Sequence, residues 1–194
     1  MKRYDRAYFD RWYRGRDQVN STAEVRRKVA LAVTVAEFFL HHPVRNVLDV
    51  GCGEGAWLPH LRELRPRVTY AGIDPSDYVV ERFGRSRKVR KGAFGDLPPI
   101  DERFDLIVCA DVLHYVADDD LRRGLPDLVR LGSGTLYLEV LTSDDEIVGD
   151  LTGLIRRPSS WYRKVFRAAG LEQVAPFSWL APGAEEELAA MEKP

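Results

Sequence analysis

Leu48-Asp49-Val50-Gly51-Cys52-Gly53-Glu54-Gly55 decides how the rest of this chain is read. With Asn46-Val47 before it, it is an apolar run that stops at alternating glycines and opens onto a helix predicted over 56–64. Glycine suits such a turn, because a backbone without Cβ folds back tightly and lets a ligand lie against the peptide plane. Gly51, Gly53 and Ala56 fit the G-x-G-x-x-G/A spacing of dinucleotide-binding folds. Asp74, ending the next predicted strand, stands about where a residue gripping ribose hydroxyls is expected. The charges weigh the other way. A dinucleotide brings an anionic pyrophosphate to this turn, whereas Asp49 and Glu54 place two carboxylates around it and suit a cationic ligand.

Outward from the turn, short apolar runs alternate with helical stretches, the pattern of a parallel sheet covered on both faces. A second strand is predicted over 68–73, ending at Asp74, with Ser76 capping a helix that runs to Phe83. A short strand over 89–93, a strong one over 104–110, a helix over 121–131 and a strand over 135–141 follow. A helix over 160–169 stops at Gly170, and 171–180 is extended, with a bend expected at Pro176 that lets it serve as two strands. Upstream, Ser21-Thr22-Ala23-Glu24 has the form of a capping box. Val25, Val29, Ala32, Val33 and Ala36 then mark the apolar face of a helix to about His41. The expected fold is α/β: a doubly wound, mostly parallel sheet of six or seven strands with N-terminal lid helices. One domain is expected over 1–194, with lid helices over 1–42, a binding core over 43–180 and a tail over 181–194.

Of the 194 residues, 45% are hydrophobic and 30% charged, which supports one packed core and argues against two cores or a disordered chain. The 29 Lys and Arg nearly balance 30 Asp and Glu, so no overall field draws the chain onto nucleic acid or an anionic membrane. No apolar run follows the charged start, and no stretch of about 18 apolar residues offers a membrane span. Cys52 and Cys109 form neither a disulfide framework nor a zinc pattern, and a cytoplasmic protein is expected. Both read as small buried fillers.

The sequence resembles the class I S-adenosylmethionine-dependent methyltransferases. Residues 49–55 resemble their first motif, Asp74 the acid ending the second strand, Gly95-Asp96-Leu97 the adenine loop, and 104–116 the fourth strand with its exit. Four motifs in order, spanning roughly 40–180, are more specific than one glycine loop. The resemblance implies S-adenosyl-L-methionine as cofactor. It assigns Asp49, Gly51 and Gly53 to the methionine portion, Asp74 to the ribose, Asp96 and Leu97 to the adenine, and Cys109 and Ala110 to the border along the fourth strand.

The implied reaction is methyl transfer to an oxygen, nitrogen or carbon of a small molecule. An RNA or protein methyltransferase and a non-catalytic cofactor-binding module are the alternatives. His114 is the candidate base near the reacting methyl, with packing against the cofactor as the equal reading. His41 and His42 fall at a helix end, and His60 is expected on a helix surface. Asp111 is a lone acid after the fourth strand, so no metal site is expected.

Tyr8 and Trp12 in the N-terminal segment, with Trp161 and Tyr162 after the fifth strand, are expected to line the acceptor pocket. The competing reading of Trp161 and Tyr162 is the buried face of a helix. Arg16, Arg156 and Arg157 nearby suggest a small planar or anionic acceptor. Six Lys and Arg within 82–91 read as a solvated sheet edge. Residues 1–28 hold nine Lys and Arg against four acids, whereas 139–150 hold five acids and no base, a polarised mouth.

Overall fold

Strand β1 (Asn46–Val50) lies inside the sheet, paired in parallel with β2 (Thr69–Asp74) on one side and β4 (Phe104–Ala110) on the other. The computed structural model describes residues 3–14, 18–147, 149–184 and 188–193. Seven strands form one sheet in the order β3-β2-β1-β4-β5-β7-β6, where β3 is Val89–Lys91, β5 is Gly132–Glu139, β6 is Glu172–Ala175 and β7 is Ser178–Leu180. β1 to β5 are mutually parallel. β6 and β7 form an antiparallel hairpin whose second arm pairs with β5. The single extended stretch over 171–180 therefore does serve as two strands, turning at Pro176 and Phe177, the latter with φ of 58°.

The strands are apolar on both faces because each face is covered. On one side Val47, Leu106, Val108 and Tyr137 pack with α2 (Thr22–Leu40), α3 (Trp57–Leu64) and Val79 of α4 (Asp77–Phe83). On the other, Leu48, Val50, Ile107, Leu136 and Leu138 pack with α5 (Asp118–Leu131) and α6 (Ser159–Ala168). Adjacent residues such as Val47 and Leu48 go to opposite cores because strand side chains alternate.

α2 begins where the capping box places it. Ser21 Oγ accepts from the Glu24 amide at 3.2 Å, and Glu24 Oε2 accepts from the Ser21 amide at 2.7 Å. Such a cap is worth about 0.5–2 kcal/mol. The helix ends at His41, which adopts the left-handed conformation with φ of 55°. Ahead of it, α1 (Arg6–Phe9) and a π-helical turn (Asp10–Arg14) cross the carboxyl ends of the strands. Arg16 and residues 185–187 of the tail lie outside the described residues. Among those described, no helix is long and apolar enough to cross a membrane.

Candidate active site

The strand order reverses between β1 and β4, and in an open α/β sheet ligands bind in the crevice at the carboxyl ends beside such a switch point. A cavity of about 440 Å³ opens there. Asp49, Gly51 and Cys52 line it from the glycine turn, Ala110 and Asp111 from the end of β4, and Glu139 and Leu141 from the end of β5. Tyr8, Trp12, Asn20 and Lys28 enter from the N-terminal segment and α2.

The turn is built as the sequence requires. Gly51 and Gly53 have φ of 74° and 51°, in the left-handed region. The amides of Gly51 and Cys52 donate to Ile73 O at 2.8 and 3.1 Å, locking the turn to β2. A Cβ on Gly51 would lie 2.3 Å from Val112 Cγ2, and one on Gly53 would lie 2.7 Å from Tyr13 Oη. A larger residue at either position would be strained by the left-handed backbone and would push Val112 or Tyr13 aside.

Asp49 is buried beneath the turn and accepts from Tyr70 Oη at 2.7 Å. Burial pushes its carboxyl up to about 7, the Tyr70 bond opposes that, and nearby Asp74 adds to it. Asp74 is also buried: Oδ2 accepts from the Gly53 amide at 2.8 Å and Oδ1 from the Ser76 amide at 2.9 Å. Burial raises its pKa, and these two amide bonds lower it. Each oxygen keeps a second lone pair, so the capacity to accept from two hydroxyls remains.

Phe9 and Tyr13 lie over Gly53, and Ser76 Oγ donates to Tyr4 O, so the N-terminal segment covers this corner. The segment is pinned by Arg14, whose guanidinium pairs with Glu54 and Asp10, and Tyr78 Oη donates to Glu54 at 3.1 Å. Arg87 adds a bond to the Glu54 carbonyl and stacks 4.4 Å from the Phe83 ring. Two members of the basic cluster are thus engaged at this end, since Lys91 also pairs with Asp77. β3 is the edge strand, as the solvated-edge reading requires.

The structure brings together Asp49, Gly51, Ala110, His114, Tyr8 and Trp12 around one cavity. Gly53 and Asp74 lie beside it under the N-terminal segment, and Cys109 is fully buried in the sheet core. Asp96 is exposed and Leu97 half-buried, on a turn closed by mutual bonds between Ala93 and Asp96, outside the cavity lining.

Trp161 and Tyr162 do not reach the cavity. Tyr162 is 2% exposed and packs on Phe166 four residues on, while Arg157 stacks 4.5 Å from the Trp161 ring. Arg157 is itself buried. It bonds Asp118, Val116 O and the Tyr162 hydroxyl, which pins the loop before α6 to the start of α5. Arg156 is exposed, so neither of these arginines prepares the cavity for an anion.

His60, expected on a surface, is buried and lines the cavity from α3. His114 is 1% exposed, and its Nδ1 accepts from the Leu141 amide at 3.2 Å. A neutral imidazole accepting at Nδ1 carries its proton on Nε2 and presents a donor there. That geometry departs from the reading of His114 as a base.

Sequence reasoning missed Asn20, Lys28 and Trp57, which also line the cavity. Lys28 on α2 looks like any solvent-facing charge until its helix is docked on β5. The one available signal was the excess of acids in 139–150 facing the basic N-terminal stretch.

Fold and cleft define an open α/β ligand-binding domain with its site at the switch point. A family model described as "Methyltransferase domain" matches residues 22–175, and the chain belongs to that family. It is 31% identical over 94 residues to Nodulation protein S of Rhizobium tropici, covering 46% of this chain and 39% of that one. It is 29% identical over 136 residues to the tRNA U34 carboxymethyltransferase of Campylobacter fetus subsp. fetus (strain 82-40), covering 66% and 45%. The chain thus spans less than half the length of these curated relatives. Its fold matches that of the sugar N-methyltransferase KedS8 from Streptoalloteichus sp ATCC 53650 with a TM-score of 0.68, at 21% identity over 89% of this chain and 91% of that one.

Proposed function

We propose that this chain binds S-adenosyl-L-methionine at the glycine turn and transfers its methyl group to a small molecule held beneath the N-terminal segment. The observation that carries the reading is the buried Asp49 carboxylate beside a positive-φ turn that lines the cavity, a cationic-ligand site where a pyrophosphate would be repelled. Membership of the methyltransferase-domain family and the fold shared with a sugar N-methyltransferase support it.

The residues present fit the cofactor. Asp49 and the Gly51 and Gly53 backbone hold the methionine portion, and the free lone pairs of Asp74 take the ribose hydroxyls. Asp96 and Leu97 serve the adenine, and Ala110, with Cys109 behind it, borders the site from β4. When bound, the sulfonium supplies an electrophilic methyl. The protein then has to align the acceptor and exclude water, and alignment of this kind is worth about 7–11 kcal/mol in favourable cases. Tyr8 and Trp12 close the acceptor side, and His114 orients the loop after β5 through Leu141. The two buried free thiols, Cys52 and Cys109, suit a reducing, cytoplasmic setting.

The test is mass spectrometry of a whole-cell extract incubated with the protein and a methyl-labelled donor, then separated into metabolites, RNA and protein. A labelled small molecule supports the reading; label found only in RNA or protein contradicts it.

A further inference from the structure

Glu139 ends β5 inside the cavity and is 8% exposed. Its Oε1 pairs with Lys28 Nζ at 2.6 Å, while Oε2 is buried with no hydrogen-bond partner among the described residues. A buried carboxylate oxygen left without a donor is costly, and native structures rarely leave one. Asp111 stands alongside with a strained φ of 60°, and its Oδ2 accepts from Asn20 Nδ2 at 2.9 Å. Lys28 Nζ lies 4.0 Å from Asp111 and donates to Asn20 Oδ1 at 2.8 Å. Two carboxylates therefore share one ammonium, and Asp49 and Asp150 line the same cavity. The arginines at its rim are committed to Glu54. No three metal-ligating side chains converge among the described residues, so the arrangement does not resemble a divalent cation site.

We propose that the acceptor is an amine whose nitrogen meets Glu139 Oε2, and that Glu139 takes the proton this nitrogen must lose before it is methylated. The proposal rests on the methyl-transfer reading above. An ammonium supplies both things the site lacks, a donor hydrogen for Oε2 and a positive charge for the surplus carboxylate. A neutral alcohol brings only the first, and an anionic acceptor is repelled.

The proton passes from the ammonium nitrogen to Oε2, leaving a neutral amine and a carboxylic acid. The nitrogen lone pair then forms the new N–C bond as the S–C bond breaks and its electron pair stays on sulfur. Glu139 is suited to this exchange. Burial and neighbouring Asp111 raise its proton affinity above that of an ordinary carboxylate, and Lys28 opposes them. The charged and titratable groups around it are Lys28 from α2, Asp111 after β4 and Tyr137 on β5.

The test uses the protein enriched in 13C at glutamate δ-carboxyls, with S-adenosylhomocysteine present, titrated with methylammonium chloride and separately with methanol. The Glu139 signal is identified by its absence in E139Q, or in E139D should E139Q fail to fold. The expected result is a saturable shift with methylammonium only, with the Glu139 titration midpoint falling by about one pH unit, a tenfold preference for the ionised carboxylate. No saturable shift, or the same shift with methanol, overturns the proposal, as does a labelled metabolite methylated on oxygen or carbon. E139Q should also lower transfer by about 10²- to 10⁴-fold, the usual range for a lost base, with affinity for S-adenosylhomocysteine unchanged. Equal loss of both would make Glu139 a cofactor contact. If calorimetry on the same sample detects no S-adenosylhomocysteine binding, the methyl-transfer reading fails, while the amine site is still judged by the titration.

Discussion

The backbone amide of Leu141 donates to Nδ1 of His114 across 3.2 Å, so the histidine at the exit of β4 is tied as an acceptor to the segment leaving β5. The neutral ring then holds its proton on Nε2, the wrong arrangement for a group that must take one. The H114Q variant should therefore lose less than about tenfold in turnover, with the pH profile unmoved, because a genuine base contributes about 10²–10⁴. Removing the acceptor altogether in H114A leaves the Leu141 amide unpaired and should cost about 1–3 kcal/mol in denaturant unfolding. Direct detection of the tautomer by 15N NMR gives the same answer without an acceptor. A loss beyond 100-fold in H114Q with a displaced acid limb would restore the base.

Asp49 couples the site to pH. Its carboxyl is raised by burial to about 7, so the native state binds more protons than the unfolded chain from about pH 4 up to about pH 7. This group's contribution makes stability fall as pH rises through that window and leaves it flat above. D49N should remove the slope, which urea titrations at several pH values will read. The α-ammonium of S-adenosylhomocysteine placed beside Asp49 favours the ionised form, so this ligand should bind with proton release below about pH 7, and its affinity should rise up to that pH and then level off. Calorimetry in buffers of different ionisation enthalpy measures the proton directly.

The Arg14–Glu54 pair holds the aromatic N-terminal segment across the Gly53 corner. Arg14 is half exposed, so its loss should cost at most about 0.2–1 kcal/mol of global stability. Locally the effect should be larger. In R14A, amide hydrogen exchange over 5–14 should rise severalfold while exchange in β1 and β4 stays unchanged. Unaltered exchange over 5–14 would mean that Phe9 and Tyr13 hold the segment without the ion pair.

Tyr162 belongs to the core beneath α6, packed on Phe166 and bonded to Arg157. Y162A should destabilise the fold by about 3–5 kcal/mol, as truncation of a buried aromatic does, and leave S-adenosylhomocysteine affinity unchanged in the folded fraction. Weakened binding with stability intact would place Tyr162 at the ligand instead.

What the sequence revealed follows from where local chemistry is sufficient. The glycine turn, Asp74 at a strand end, the Ser21–Glu24 box and the bend at Pro176 are each specified by neighbours in the chain, and each stands where it was expected. Trp161 and Tyr162 were ambiguous because adjacent residues on a helix point about 100° apart. The Tyr162–Phe166 spacing marked a buried face, but pattern alone does not say what covers it. His60 looked exposed because α3 is short and polar at several positions, yet it lies against the cavity. Glu139 and Lys28 are 111 positions apart, and only the docking of α2 against β5 makes them a pair. Their one trace in the sequence is the basic 1–28 stretch set against the acids of 139–150, and Arg156 and Arg157, which suggest an anionic acceptor, stand away from the cavity lining.

The central claim, that the glycine turn with Asp49 holds S-adenosyl-L-methionine rather than a dinucleotide, is tested most directly by calorimetric titration of the protein with S-adenosylhomocysteine and with NAD⁺ under identical conditions. The account predicts saturable one-site binding of S-adenosylhomocysteine, weakened in D49N and D74A, and no measurable heat from NAD⁺. Binding of NAD⁺ that depends on Asp74, with none of S-adenosylhomocysteine, would contradict it.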